Sequence, residues 1–289
     1  KWRAIYCSNA GPKNHSMNYN NVNNKEESLE LSVVIPVYNE AKNITQTLLA
    51  LRQNIVIPHE IIIVYDFDED TTLPVVRSIK DDFKNLTLVK NCVARGPSGA
   101  LRTGFVRAKA PRVLSLMADM CDDFTQIGKL LNLVPVHADI ACPSRYCKGG
   151  EQQLNSNIYL KALIPRVAGF LLMLFAGIPT YDPTNSFKLY SAEVLKRLTL
   201  RSTISFSVTL EIVVKAYLLG FRIVEVPTVW YDRQHGKSNF KLGRSIFAYM
   251  PWFLLAFLCG RIIRLPQKWI HKLFGLLDNP CEIEKIEKT

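Results

Sequence analysis

The sequence lacks both the cysteine spacing of a zinc site and the arrangement of a disulfide-rich scaffold. It has seven cysteines, an odd number, and they include no Cys-x-x-Cys pair. Cys142 and Cys147 are close in sequence, but no further set of histidines and cysteines at zinc-site spacing accompanies them. This pattern predicts reduced thiols in a protein that faces the cytosol. No secretory signal and no internal repeat are recognisable.

Acidic residues are fewer than basic ones. The chain has 36 Lys and Arg against 25 Asp and Glu, which gives a formal net charge of +11. Such an excess favours an anionic partner, namely a phosphorylated substrate, an anionic membrane or nucleic acid, although it can also serve solubility alone. The basic residues are not interleaved with aromatic residues on a recognisable module, which argues against nucleic acid. Hydrophobic residues, at 48%, suffice for a full core.

Strand and helix patterns alternate four times in the first half of the chain. The apolar, β-branched runs at 31–37, 60–65, 86–89 and 112–116 predict strands, with a further short strand at 139–141. The segments 41–53, 73–83, 98–108 and 124–133 predict helices. This order is typical of βαβ units, so we predict an α/β fold with a mostly parallel central sheet flanked by helices. Ligands of such sheets bind beyond the carboxyl ends of the strands.

No uninterrupted apolar run in the second half reaches the roughly 20 residues that a transmembrane helix needs. The most apolar segments are 162–178 and 246–259, and the second contains Pro251 and stops before Arg261. They favour helices at a membrane interface, with burial in the core as the alternative. Between them we predict strands at 185–190 and 222–226, a helix at 208–219 and a polar loop at 231–241. The predicted organisation is a flexible tail over 1–29, a main domain over 30–243, and an apolar, basic, membrane-associated segment over 244–289.

Two groups of carboxylates follow predicted strands. The first is the run DFDED at 66–70, whose carboxylates can bind a ribose hydroxyl, a base amide or a metal, unless the run is a solvated turn. The second is Asp119, Asp122 and Asp123. Its oxygens suit Mg²⁺ or Mn²⁺, which would bridge a diphosphate. Capping of the next helix by Asp122 or Asp123 is the alternative, and both roles can hold if Asp119 faces the metal and Asp123 caps.

Two further segments suit phosphate groups. The turn GPSG at 96–99 opens a predicted helix that contains Arg102, and a Gly-rich helix start lets a phosphate approach the backbone. It is not a P-loop, because no Gly-Lys-Ser/Thr follows it. The loop DRQHGKS at 232–238 brings Arg233 and Lys237 together, which can clamp phosphate oxygens unless the loop is simply solvated.

Taken in order, six segments resemble the family 2 glycosyltransferases of GT-A (Rossmann-like) fold, and within them the dolichyl-phosphate mannosyltransferase and polyprenyl-phosphate glycosyltransferase branch. The segments are VVIPVYNE at 33–40, DFDEDTT at 66–72, GPSGALRTGF at 96–105, MAD at 117–119, DPTNSFK at 182–188, and EVP at 225–227 followed by DR at 232–233 and GKS at 236–238. The resemblance spans roughly residues 30–245.

The resemblance implies a role for each matching residue. Nucleotide-sugar binding would fall to Pro36, Tyr38, Glu40, Asp66, Asp68, Gly99, Arg102 and Ala118. The catalytic residues would be Asp119, Asp182, Arg233 and Lys237, and the acceptor side would carry Arg145, Lys188 and Ser238. A Mg²⁺ or Mn²⁺ cofactor would be held by Asp119 and Asp122.

This sequence departs from the family pattern at several of these positions. Met117 replaces the first Asp of the Asp-x-Asp segment, so one metal ligand is absent. Either Asp122 or Asp123 substitutes for it, or the dependence on metal is weak. Tyr65 stands where the acidic turn usually has its first Asp. Asn185-Ser186 replaces Ser-Gly, and Lys188 replaces Arg.

The resemblance implies an inverting transfer of sugar from a donor such as GDP-mannose or UDP-glucose to a polyprenyl or dolichyl phosphate at the cytosolic face of a membrane. The phosphate oxygen is already anionic and needs little help from a base. If the acceptor were a saccharide or another hydroxyl compound, a base would be required, and Asp182 is the candidate. A third interpretation, suggested by Met117 and Tyr65, is a non-catalytic member that binds nucleotide-sugar without turnover.

Overall fold

The computed structural model describes residues 28–153, 159–233 and 242–260. Most of the tail predicted over 1–29 lies outside these ranges, and so does the part of the predicted C-terminal segment that follows Gly260. The predicted site residues Lys237 and Ser238 also lie outside the described residues.

Seven strands form one sheet in the order β3-β2-β1-β4-β7-β5-β8. The strands are β1 (Leu31–Val37), β2 (His59–Tyr65), β3 (Leu86–Lys90), β4 (Arg112–Ser115), β5 (Ile140–Ser144), β7 (Lys188–Ser191) and β8 (Ile223–Pro227). Every neighbouring pair is parallel except the two that β7 makes with β4 and β5. The predicted mostly parallel sheet is therefore confirmed. A separate parallel pair, β6 (Glu151–Gln153) and β9 (Val229–Tyr231), was not predicted.

Eight helices accompany the sheet in the described part of the chain. They are α1 (Ile44–Asn54), α2 (Thr72–Ser78), α3 (Pro97–Arg107), α4 (Ile127–Leu133), α5 (Tyr159–Leu171), α6 (Ala192–Arg197), α7 (Ser207–Leu218) and α8 (Leu242–Cys259). The strand predicted from residue 185 begins only at Lys188, because the Asn185 side chain accepts the Phe187 N–H and folds the backbone into a turn. The helix predicted over 73–83 ends at Ser78 and is followed by a 3₁₀ turn, Lys80–Asp82.

The central strands are buried on both faces. Val34 of β1 packs in one core with residues of α3, α7 and α8, whereas Val33 and Ile35 pack in the other with α1 and α4. Alternate side chains of a strand point to opposite faces, so a strand covered on both sides needs a continuous apolar run. The run of residues 31–37 meets that requirement, since every one of them is buried.

Helix α3 approaches the sheet unusually closely at Gly104. A Cβ atom at this position would stand 2.2 Å from Cγ1 of Val34 and 3.2 Å from Cγ2 of Val64. The glycine is therefore required by the contact between helix and strand rather than by a turn. This contact fixes the second half of α3 against the middle of β1 and the end of β2.

Helix α8 packs against α7 through a buried polar contact. Trp252 donates from its indole N–H to Oγ of Ser202 at 2.8 Å, and its ring lies 4.9 Å from Nζ of Lys215. Lys215 is fully buried and pairs with Glu211 at 2.6 Å. Within the described ranges, no helix is both long enough and apolar enough to cross a bilayer. Helix α8 covers residues 242–259 of the predicted C-terminal segment, and its association with a membrane is a proposal.

Candidate active site

The acidic turn after β2 holds its neighbours by hydrogen bonds to their backbone. The carboxylate of Asp70 accepts from the N–H of Asn39 at 3.1 Å and from the N–H of Thr72 at 2.8 Å. Asn39 has a left-handed φ of 56°, which asparagine tolerates better than most residues. The Thr72 hydroxyl in turn accepts from the N–H of Glu40. Asp70 therefore fixes the direction in which the chain leaves β1 and presents Glu40.

Asp66 links the end of β2 to the start of α3. Its two carboxylate oxygens accept from Nδ2 of Asn91 at 2.7 Å and from the N–H of Gly96 at 2.8 Å. Asp68 instead pairs with Lys90 at the surface. Hydrogen bonds and the ion pair with Lys90 thus offset the repulsion among the three Asp carboxylates of this turn. We assign Asp66 to positioning of the Gly-rich turn.

Arg233 joins the segments that follow β1 and β4 at the centre of the site. Its guanidinium donates to Oδ2 of Asp119 at 2.8 Å and to Oε1 of Glu40 at 3.3 Å. The second oxygen of Glu40 accepts from Asn43 at 2.7 Å, and Oδ1 of Asp119 accepts from the N–H of Cys121 at 3.3 Å. Burial raises the pKa of Glu40, against the hydrogen bond from Asn43 and the charge of Arg233. Residues far apart in sequence thus form one ion cluster at the carboxyl edge of the sheet.

The other carboxylates after β4 have different environments. Asp123 accepts from the N–H of Thr125 at 3.1 Å and caps the 3₁₀ turn that precedes α4, as predicted. Burial raises the pKa of Asp122 to about 8, and the charge of Asp119 acts in the same direction. The raised pKa favours the neutral form of Asp122. No group of three or more potential metal ligands occurs among the described residues.

The predicted acceptor side is built around a buried ion pair. Arg145 donates to Asp182 twice, from Nε at 2.6 Å and from Nη2 at 2.8 Å, and its backbone N–H donates to the same carboxylate at 3.2 Å. The guanidinium lies over the rings of Tyr146 and Trp230. The Asp182 side chain has no exposed surface. Asp182 is therefore placed to hold Arg145 rather than to meet a substrate directly.

Lys188 is buried at the start of β7. Its ammonium donates to the carbonyl oxygens of Asn185 and Asp182, the latter at 3.4 Å. Burial lowers its pKa. These contacts hold the turn between Asp182 and β7 closed. Lys188 therefore stabilises the backbone of the predicted acceptor side.

Sequence reasoning missed residues that support this region. Glu225 accepts from the Thr180 hydroxyl at 2.9 Å and from the N–H of Tyr181 at 2.6 Å, which fixes the backbone just before Asp182. Trp230 was unnoticed because its partner Arg145 is distant in sequence. Arg166 of α5 is an exposed guanidinium whose charge acts on Tyr146. Glu225 belongs to the segment EVP at 225–227, and an acidic residue at the end of a buried strand was the signal that could have identified it.

The remaining predicted donor residues divide into exposed and buried ones. Tyr38 is exposed, and its ring meets that of Phe67 edge-on with centroids 5.5 Å apart. Pro36 and Ala118 are buried. Gly99 is buried against the backbone, since a Cβ there would stand 1.8 Å from the Ala94 carbonyl oxygen. Arg102 donates to the Ser202 carbonyl oxygen at 3.4 Å and thus contacts the loop before α7.

Comparison with known proteins places this geometry in a family. Residues 32–199, more than half of the chain, match the model described as glycosyl transferase family 2. The chain belongs to this family. The glycosyltransferase is 28% identical over 257 residues to a dolichol-phosphate mannosyltransferase of Pyrococcus furiosus, covering 87% of this chain and 70% of that protein. It is 27% identical to a dolichyl-phosphate beta-glucosyltransferase of Saccharomyces cerevisiae, covering 81% of this chain and 78% of that protein.

Solved structures support the fold of the glycosyltransferase. Glucosyl-3-phosphoglycerate synthase from Mycobacterium tuberculosis, in complex with Mn²⁺, UDP and glucosyl-3-phosphoglycerate, matches with a TM-score of 0.58. The two proteins are 16% identical, and the match covers 80% of this chain and 79% of that one. At this identity the likeness concerns the fold alone. The predicted GT-A-like α/β architecture of the glycosyltransferase is confirmed.

Proposed function

We propose that this glycosyltransferase moves a sugar from a nucleotide-sugar to a polyprenyl phosphate at the cytosolic face of a membrane. The observation that carries the proposal is Arg145, a partly buried arginine, near an exposed apolar surface. A phosphate attached to a long hydrocarbon requires both features, a guanidinium for the head and an apolar surface for the chain. The named activities of the curated relatives agree with this substrate class.

The apolar surface is formed by α5, the turn that follows it, and α8. Its exposed side chains are Leu163, Ile164, Val167, Phe170, Leu174, Phe175, Ile246, Phe247, Met250, Leu254 and Leu258. The rings of Phe175 and Phe257 have centroids 6.1 Å apart, which joins the two helices into one surface. Most of the large apolar side chains exposed in the described ranges belong to it. Exposed apolar patches of this kind mark sites of membrane or partner binding.

The apolar surface lies close to the acceptor-side ion pair. Burial raises the pKa of Tyr249 on α8, and the charges of Arg145 and Asp182 also act on its hydroxyl. Arg166 on α5 adds a second guanidinium near Tyr146. Arg145 donates to Asp182 from Nε and from Nη2. Its guanidinium has five N–H groups, so the others are available to a phosphate. The head of a lipid phosphate could therefore reach Arg145 from the membrane side.

The chemistry required of the protein is positioning and charge stabilisation. The acceptor phosphate oxygen would attack the anomeric carbon in line and invert its configuration, and no base is needed because the oxygen is already ionised. Arg145 would orient the attacking phosphate. Arg233 would stabilise the negative charge that develops on the departing nucleoside diphosphate.

A divalent cation fits the donor side of the site. Oδ2 of Asp119 accepts from the Arg233 guanidinium, so a metal that took this oxygen would replace one positive charge beside the carboxylate by another. Mg²⁺ commonly uses one or two carboxylates together with substrate phosphates, which suits Asp119 with Asp122 beside it. When bound, the metal would neutralise the diphosphate.

The proposal is tested by a transfer assay with purified protein, Mg²⁺ or Mn²⁺, and a panel of radiolabelled nucleotide-sugars. Each donor is incubated with and without polyprenyl phosphate in detergent, and label is counted in the lipid phase. Label that enters the lipid only when polyprenyl phosphate is present would support the proposal and identify the donor. Label transferred to a saccharide or another soluble acceptor instead, or nucleotide binding without any transfer, would contradict it and favour one of the two alternatives.

A further inference from the structure

The ion cluster of Arg233, Asp119 and Glu40 is complete without a metal. Each carboxylate has one oxygen on the guanidinium and the other on a second partner, Cys121 N–H for Asp119 and the Asn43 amide for Glu40. The guanidinium is partly buried, with 23% of its side chain exposed. A divalent cation that bound Asp119 would therefore compete with a positive charge already in contact with it.

The backbone that leads to Arg233 is held in place by two hydrogen bonds. Tyr231 N–H donates to the Cys121 carbonyl oxygen at 2.8 Å, and Asp232 N–H donates to the Gln153 carbonyl oxygen at 3.0 Å. The Arg233 N–H donates to the Asp232 carboxylate at 2.9 Å. A rotation of the long arginine side chain can thus release Asp119 while β9 and the two residues that follow it stay in place.

We propose that Arg233 is a displaceable counter-ion that keeps the metal site closed until the donor arrives. In the free protein it neutralises Asp119 and Glu40 and excludes the divalent cation. The diphosphate of the donor draws the guanidinium away, because its phosphate oxygens offer charge-assisted, bidentate hydrogen bonds, while the arriving metal takes over the positive charge beside Asp119. The same diphosphate brings the metal with it. This inference rests on the proposed use of a nucleotide-sugar donor.

The proposal predicts that metal and nucleotide bind together, and that the metal alone binds weakly. Removing the guanidinium should expose Asp119 and Glu40 to the cation. Two carboxylates freed of a close positive charge attract a divalent ion more strongly, by an amount comparable to the pKa shifts that such charges cause. The affinity for the metal alone should therefore rise in a variant whose catalysis is impaired.

The test measures Mn²⁺ binding to the full chain without nucleotide, by electron paramagnetic resonance of free Mn²⁺. Arg233→Gln should bind Mn²⁺ about tenfold more tightly than the wild type or better. Arg197→Gln is the matched control, since it removes the same charge from an exposed pair with Glu193 on α6, and it should not change Mn²⁺ affinity. Adding Asp119→Asn to Arg233→Gln should abolish the gain.

Equal Mn²⁺ affinity in the wild type and in Arg233→Gln would overturn the inference. If Arg233→Gln does not fold, Arg233→Lys serves in its place, because an ammonium cannot bridge both carboxylates as a guanidinium does, and a smaller gain is expected. Failure of the inference is distinguishable from failure of the proposed function. In the first case label still reaches the lipid in the transfer assay, and in the second no label reaches the lipid, whatever the Mn²⁺ affinity of Arg233→Gln.

Discussion

Arg145 and Asp182 behave as one unit, since the carboxylate receives two guanidinium N–H groups and a backbone N–H of the same residue. A buried charge that loses its partner is far more costly than an exposed one, because water cannot replace the missing interaction. The pair therefore makes two interpretations of Asp182 separable. If Asp182 positions Arg145, its replacement lowers the stability of the protein. If Asp182 acts as a general base, its replacement lowers activity without a comparable loss of stability.

Asp182→Asn should lower the free energy of unfolding by about 3–5 kcal/mol, as is typical when one partner of a buried pair is removed. The measurement is urea denaturation followed by circular dichroism. Glu193→Gln, which breaks an exposed pair with Arg197, is the control and should cost less than about 1 kcal/mol. A variant that loses transfer activity but keeps wild-type stability would instead indicate that Asp182 acts as a base.

Residue types and motif order were sufficient to predict which side chains belong to the site, but not how they pair. Asp119 and Arg233 were both assigned to the donor side, yet their mutual contact joins positions 114 residues apart. Arg145 and Asp182 were both assigned to the acceptor region, and their separation of 37 residues hides the pair in the same way. Such pairs depend on which strands are neighbours. The motifs fix the ends of strands, and the sheet order brings those ends together.

At the scale of elements, the contact of α3 with β1 and β2 offers a clean test of packing. Gly104→Ala places a methyl group 2.2 Å from Cγ1 of Val34, so α3 must shift or Val34 must change rotamer. Overpacking of this kind costs about 1–3 kcal/mol, which thermal or urea unfolding would detect. Val34→Ala in the same chain should recover part of the loss by making room for the methyl group.

Gly128 in α4 provides the matched control. A Cβ there meets nothing within 4 Å, so Gly128→Ala should leave stability unchanged or raise it by up to about 1 kcal/mol. If Gly104→Ala were as harmless as Gly128→Ala, helix α3 would not lie as close to the sheet as described.

Element types were largely predictable, whereas direction and order in the sheet were not. The four alternating strands and helices of the first half appear where the periodicity indicates them. The antiparallel direction of β7 could not be read from its short apolar sequence, because a buried strand has the same composition in either direction. The pair β6 and β9 has only three residues per strand, which is too short for a periodicity signal.

At the scale of the whole molecule, the apolar surface should determine membrane binding. Phe247 is 81% exposed on α8, and replacing it with a charged residue removes about 1.5–3 kcal/mol of burial in the interface. Phe247→Glu should therefore weaken binding to vesicles of anionic lipid by about tenfold or more in a sedimentation assay. Nucleotide binding, measured by calorimetry, should be unchanged.

Val56→Glu is the control for this prediction. Val56 is 93% exposed in the turn between α1 and β2, outside the apolar surface, and the change adds the same charge. It should leave vesicle binding close to that of the wild type. Equal losses in both variants would mean that net charge, rather than the apolar surface, governs attachment.

The reversed direction of β7 has a consequence for how this architecture can be altered. The chain leaves the sheet at Ser144 and re-enters at Lys188, and because β7 runs against β5, both points lie on the same rim of two adjacent strands. The intervening segment carries Arg145, Asp182 and α5, whereas Glu40 and Asp119 precede it. The segment between Ser144 and Lys188 therefore begins and ends at neighbouring points on one edge of the sheet. Changes within the segment leave the pairing of β5 and β7 untouched, provided that β6 is kept, because it pairs with β9 and its Gln153 carbonyl oxygen holds Asp232 next to Arg233.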